Sequence, residues 1–131
     1  MKNILKAREW LKRAKSNLAR ARLGKVTDEI LYEDICFDAQ QAVEKAMKAV
    51  CVINEINFNR AHDISYLIDL LDTANIKLPQ KLQQAKILTN YAVETRYPGD
   101  YLQVDKNMYE DALKIAEMVV KWVDDNLEKE R

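Results

Sequence analysis

The stretch Ile30–Asn54, ILYEDICFDAQQAVEKAMKAVCVIN, decides the fold. Leu31, Ile35, Ala39, Ala42, Ala46, Val50 and Ile53 recur at steps of three and four, so one helix puts them on a single face. Cys36, Val43, Met47 and Cys51 make a second apolar row beside it. Two rows give a wide buried stripe and predict a central helix flanked on more than one side. Ala39, Ala42, Ala46 and Ala49 are small enough to let neighbouring helices approach closely.

Working outward, Ile4, Ala7, Leu11, Ala14, Leu18 and Ala21 form a narrower seam. They predict a first helix from about Asn3 to Leu23, stopped by Gly24. Thr27 and Asp28 are the expected caps of the central helix. Downstream, Ile64, Leu67, Ile68 and Leu71 predict a third helix that opens at His62 or Asp63 and ends at Asn75. Pro79 suits the first turn of a fourth helix, with Leu82, Ala85, Leu88, Thr89 and Ala92 on one face. Pro98 and Gly99 close it. Met108, Ala112, Ile115, Val119 and Trp122 predict a fifth helix over about Lys106 to Glu128. The expectation is an all-α, five-helix up-and-down bundle with a four-helix core, a single domain over residues 1–131.

The 131 residues suffice for a core without disulfides or metal. The 21 basic and 21 acidic side chains balance, so net charge gives no general pull toward nucleic acid. Basic residues crowd positions 1–25 and acids crowd 28–55, which predicts internal pairing of the first two helices. Acids such as Glu33, Asp34 and Asp38 read as a solvated face. Cys36 and Cys51 would lie about 22 Å apart along one helix, too far to bridge within it. They read as small buried groups of a reducing compartment. No secretory leader core and no apolar run of membrane-spanning length occurs, so a cytoplasmic protein that does not enter membranes is expected.

Phosphate-loop, HExxH and Cys-cluster motifs are absent from the sequence. No metal and no cofactor are expected. His62, the only imidazole, has two readings: a base or nucleotide contact, or a packing residue beside a capping Asp63. Arg96 and Tyr97 also have two. An arginine next to an aromatic can hold a phosphate and stack on a base; equally, it can bond the last carbonyls of a helix.

Three segments in order resemble the HEPN family, the small helical nucleotide-binding domain of higher eukaryotes and prokaryotes. Phe37–Lys48, FDAQQAVEKAMK, is similar to its FHAQQAAEKALKA helix. His62-Asp63-Ile64 with Leu67, Leu70 and Leu71 is similar to its HDL-x-x-LL segment. Arg96-Tyr97-Pro98 is similar to its ARYPD segment. The resemblance implies a helical bundle, usually a homodimer, that often works beside a separate minimal nucleotidyltransferase, in some cases as a two-part toxin–antitoxin system. Many HEPN proteins are ribonucleases with Arg, four to six residues, then His. Here that arginine would fall at 55–57, which hold Glu55, Ile56 and Asn57. Asp38 also replaces the histidine of FHAQQ, and Gly99 stands where the family often has Asp.

The sequence therefore reads as a HEPN-like protein that binds rather than cleaves, a nucleotide-binding partner of a nucleotidyltransferase. Its binding candidates are His62, Asp63, Arg96 and Tyr97, with no catalytic residue and RNA the less favoured ligand. The alternatives are a metal-independent endoribonuclease of the HEPN toxin kind and a purely structural interaction module.

Overall fold

The computed structural model describes residues 3–59, 63–91 and 103–129. They form α1 (Ile4–Leu23), α2 (Tyr32–Ile53), α3 (Ile64–Thr73), a 3-10 helix (Gln80–Tyr91) and α4 (Lys106–Glu128). No strand occurs among the described residues. α2 packs against all the other helices, while α1 touches only α2 and α4. The wide stripe of α2 is the reason. Both of its rows, from Ile35 and Cys36 to Cys51 and Ile53, are buried inside one chain, whereas Leu31, expected at the head of the first row, precedes the helix and is 54% exposed. Such burial stabilises by about 1.5–3 kcal/mol per large side chain. The all-α bundle expected from the sequence is therefore present.

Helix ends follow local chemistry. Asn3 caps α1 by accepting the Lys6 amide at 3.2 Å. Asp105 caps α4 by accepting the Met108 amide at 2.9 Å. Thr27 and Asp28 do not cap α2. The residue at its N-cap is Leu31, whose side chain makes no capping bond. The connection instead closes a turn of its own, with the Ile30 amide donating to the Thr27 carbonyl. Thr27 and Asp28 thus stand too far upstream to reach the free amides of the first turn.

α2 and α3 stop in the same way. Ile56 donates to the Cys51 carbonyl and Glu55 to that of Val52; Ile76 donates to Leu71 and Asn75 to Asp72. Each pair closes the end through a residue in the left-handed region, Glu55 at φ 58° and Asn75 at φ 63°.

The fourth helix is 3-10 rather than α. Its buried residues Leu82, Ala85, Leu88 and Tyr91 stand at strict steps of three, the period of a 3-10 helix. The Leu82 amide donates to the Pro79 carbonyl at 2.8 Å and starts that pattern.

The basic face of α1 divides between two neighbours. Arg20 reaches Asp38 of α2 at 3.4 Å, whereas Lys15 and Arg22 reach Asp124 and Glu117 of α4 at 2.8 and 3.1 Å. The expected pairing with α2 is only part of the arrangement.

Candidate functional site

Of the four residues singled out from sequence, Asp63 falls among the described residues. His62, Arg96 and Tyr97 lie outside them. Asp63 is the N-cap of α3, and its Oδ1 accepts the Tyr66 amide at 3.3 Å. It also faces the 3-10 helix. The Ile64 amide donates to Thr89 Oγ1 at 3.1 Å, and the Thr89 hydroxyl donates to Asp63 Oδ1 at 3.5 Å. The start of α3 is thus tied to the last turns of the 3-10 helix. His62 directly precedes this junction in sequence, and Arg96 follows Thr89 by a few residues.

Asp63 is half-buried and already accepts two bonds, so its structural role as a cap is plain. Of the first-turn amides of α3, that of Ile64 goes to Thr89 and that of Tyr66 to Asp63. Helix amino ends of this kind favour anions.

The sequence reading missed a polar lattice on α2. Asp38, Gln40, Gln41, Glu44 and Lys48 are all buried, and Asp38 is 6% exposed. The expectation of a solvated Asp38 is therefore wrong. α1 lies across this part of α2, and Asn17 donates to Asp38 Oδ1 at 3.2 Å. Lys45 donates to Asn17 Oδ1 at 2.7 Å. Arg20 completes the cluster. Burial pushes the Lys45 ammonium below its ordinary pKa, against the pull of Glu44, its largest favourable neighbour.

A second group lies further along α2. Gln41 donates to Gln40 Oε1 at 2.8 Å, Gln40 donates to Glu44 Oε1 at 3.2 Å, and Lys48 Nζ meets Glu44 Oε2 at 2.9 Å. The Lys48 ammonium stands 5.3 Å from the Trp10 ring centre and 5.4 Å from that of Phe58. No buried side-chain nitrogen or oxygen among the described residues is left without a partner. The Asn17, Asp38, Lys45 and Arg20 contacts tie α1 to α2, whereas the Gln40, Gln41, Glu44 and Lys48 bonds run within α2 itself. A signal was present in the sequence: Asn17 sits beside the apolar seam of α1, opposite a run of polar residues on an otherwise apolar helix.

Metal and thiol chemistry find no support at this lattice. No three of His, Cys, Asp and Glu converge among the described residues. Burial raises the Cys36 thiol to about 12 and Cys51 to about 11, so both stay protonated and unreactive near neutral pH.

The profile of the HEPN domain matches residues 7–127. A Methanocaldococcus jannaschii protein bearing the name "Putative toxin MJ1304" is 30% identical over 141 aligned positions, covering 97% of this chain and 91% of that protein. Among solved structures, ST0689, described as an archaeal HEPN homologue, aligns with a TM-score of 0.71 at 27% identity. The alignment covers 97% of this chain and 99% of that one. TT1696 from Thermus thermophilus aligns with a TM-score of 0.70 at 30% identity, over 91% and 96% of the two chains.

Proposed function

This chain belongs to the HEPN domain family, and on that premise we propose that it is a nucleotide-binding, non-catalytic partner of a separate minimal nucleotidyltransferase in a two-part, toxin–antitoxin-like module. The observation that carries the reading is the bond between the start of α3 and Thr89. It joins the start of α3, next to His62-Asp63 in sequence, to Thr89, which precedes Arg96-Tyr97 in the chain. A nucleotide phosphate would meet Arg96 at the amino end of α3, where the helix dipole favours an anion although Thr89 and Asp63 take the Ile64 and Tyr66 amides, and its base would stack on Tyr97. The toxin-named relative supports the toxin-like part of this reading.

Ribonuclease activity is the competing reading. Metal-independent cleavage needs one group to activate the 2′-hydroxyl and another to stabilise the phosphate as charge develops. His62 is the only histidine, and Glu55, Ile56 and Asn57 stand where the family's arginine would be. We therefore favour binding. Purified protein should leave single-stranded RNA intact, and cleavage that disappears in His62→Ala would replace this reading with the ribonuclease. Purine nucleotides should bind the wild type and bind Arg96→Ala more weakly.

The active form in this reading is a cytoplasmic homodimer. Since α2 is covered within one chain, the surface for self-association is the groove of about 640 Å³ between the 3-10 helix and α4. Ile87, 58% exposed, stands at it beside Met108 and Met118. Lys114 and Asp111 on its α4 side would let two copies pair opposite charges about a two-fold axis.

A further inference from the structure

A cleft larger than that groove lies where the amino end of α1 meets the carboxyl end of α2 and the loop after it. Its volume is about 870 Å³, within the range of small-molecule sites. Four of its features point to one ligand class.

Trp10 is half-buried and meets Phe58 edge-on, with ring centres 6.0 Å apart, so the two rings form an aromatic corner rather than a closed sandwich. Lys48, buried and paired with Glu44, lines the cleft, and its ammonium stands over both rings at 5.3 and 5.4 Å. Lys6 lines the cleft from the first turn of α1, which contains no acidic residue. Cation and helix dipole therefore reinforce each other there, contrary to the usual acidic first turn. Lys6 forms no ion pair among the described residues.

The fourth feature is Glu55. It lines the same cleft from a left-handed backbone position where glycine or asparagine costs less. Helix termination alone would not select glutamate. A carboxylate held at the rim is suited to accept hydrogen bonds from neighbouring hydroxyls, as acidic residues do from ribose.

We propose that this cleft binds a ribonucleoside monophosphate unit, with its phosphate at Lys6 and the amino end of α1, its base against Trp10 and its ribose hydroxyls at Glu55. The inference rests on the nucleotide-binding reading and adds a second set of residues to it. The cleft adjoins the α3 junction through Asn59, whose amide donates to the Tyr66 hydroxyl at 3.3 Å. Two sources share this chemistry, a free nucleotide and the end of a single-stranded RNA.

Calorimetric titration of the full chain with AMP, dAMP and a short 5′-phosphorylated RNA tests this. Lys6→Glu puts an acid in the first turn of α1, and Glu55→Asn puts a tolerant residue in the left-handed position. Both should hold or raise the melting temperature, so lost binding cannot be ascribed to unfolding. Lys6→Glu should weaken AMP binding by about tenfold or more, and Glu55→Asn should bring AMP and dAMP to the same affinity. Tighter binding of the RNA with the same response to both variants identifies RNA as the source; equal or weaker binding identifies the free nucleotide. AMP binding that responds to neither variant, or no binding to the wild type, overturns the proposal. Binding lost in Arg96→Ala but unchanged in Lys6→Glu and Glu55→Asn sinks the cleft alone. The reverse pattern sinks the Arg96 assignment alone.

Discussion

Lys48 and Glu44 face each other at 2.9 Å, one turn apart on α2, with side chains 7% and 2% exposed. An ion pair so withdrawn from water is costly to break from one side. Lys48→Met removes the ammonium from a buried carboxylate and should cost about 3 kcal/mol or more of stability. The double variant Glu44→Gln/Lys48→Met should recover much of that loss, because it leaves no buried charge at either position and keeps an oxygen for the Gln40 amide. Urea denaturation of both variants checks this. A Lys48→Met variant as stable as the wild type would show that the pair holds nothing together.

The thiols predict an alkaline loss of stability. Cys36 and Cys51 rise from an ordinary 9.0 to about 12 and about 11 because burial disfavours the thiolate. Above pH 9 the unfolded chain gives up these protons while the folded chain keeps them. Their contribution is therefore complete below pH 9 and is lost as pH rises toward 12. Burial raises Tyr91 and Tyr109 in the same sense, whereas the lowered Lys45 acts in the opposite one. Urea midpoints measured from pH 9 upward should fall, and should fall less steeply in Cys36→Ala/Cys51→Ala.

Two left-handed positions should respond in opposite directions. Gly24 sits at φ 65°, and a Cβ there would meet the Tyr109 hydroxyl at 3.2 Å. That hydroxyl donates to the Ala21 carbonyl in the last turn of α1. Gly24→Ala should lose about 1–2 kcal/mol. Glu55→Gly, at φ 58°, should gain about 0.5–1 kcal/mol. Thermal melts of the two variants read both signs.

Much of the fold was legible because long apolar stripes leave few alternatives. Lys106 and Glu128 bound α4 as expected, and Gly24 and Asn75 mark helix ends where a left-handed residue is needed. The 3-10 helix was hidden because three-residue and four-residue steps look alike over a short segment. Its strict repeat of Leu82, Ala85, Leu88 and Tyr91 was nevertheless in the sequence. Asp38 was misread because charge alone does not reveal what a neighbouring helix brings over it; Asn17 and Arg20 of α1 do so here. Of the candidate site, Asp63 was legible as a cap, since capping depends on local sequence. Its bond with Thr89 was not, because it joins residues far apart in the chain.

Self-association through the groove between the 3-10 helix and α4 predicts a dimer in solution. Light scattering at micromolar concentration should give twice the 15.3 kDa chain mass. Ile87→Glu, which puts a charge at an exposed apolar position, should return the chain to monomer with little change in stability. A monomeric wild type would rule this surface out.

The central claim, that a nucleotide binds through Arg96, is tested most directly by calorimetric titration of purine nucleotides into wild type and Arg96→Ala. Saturable binding to the wild type is expected, with affinity lower by about tenfold or more in the variant. No heat of binding in the wild type, or identical binding in both proteins, would contradict it.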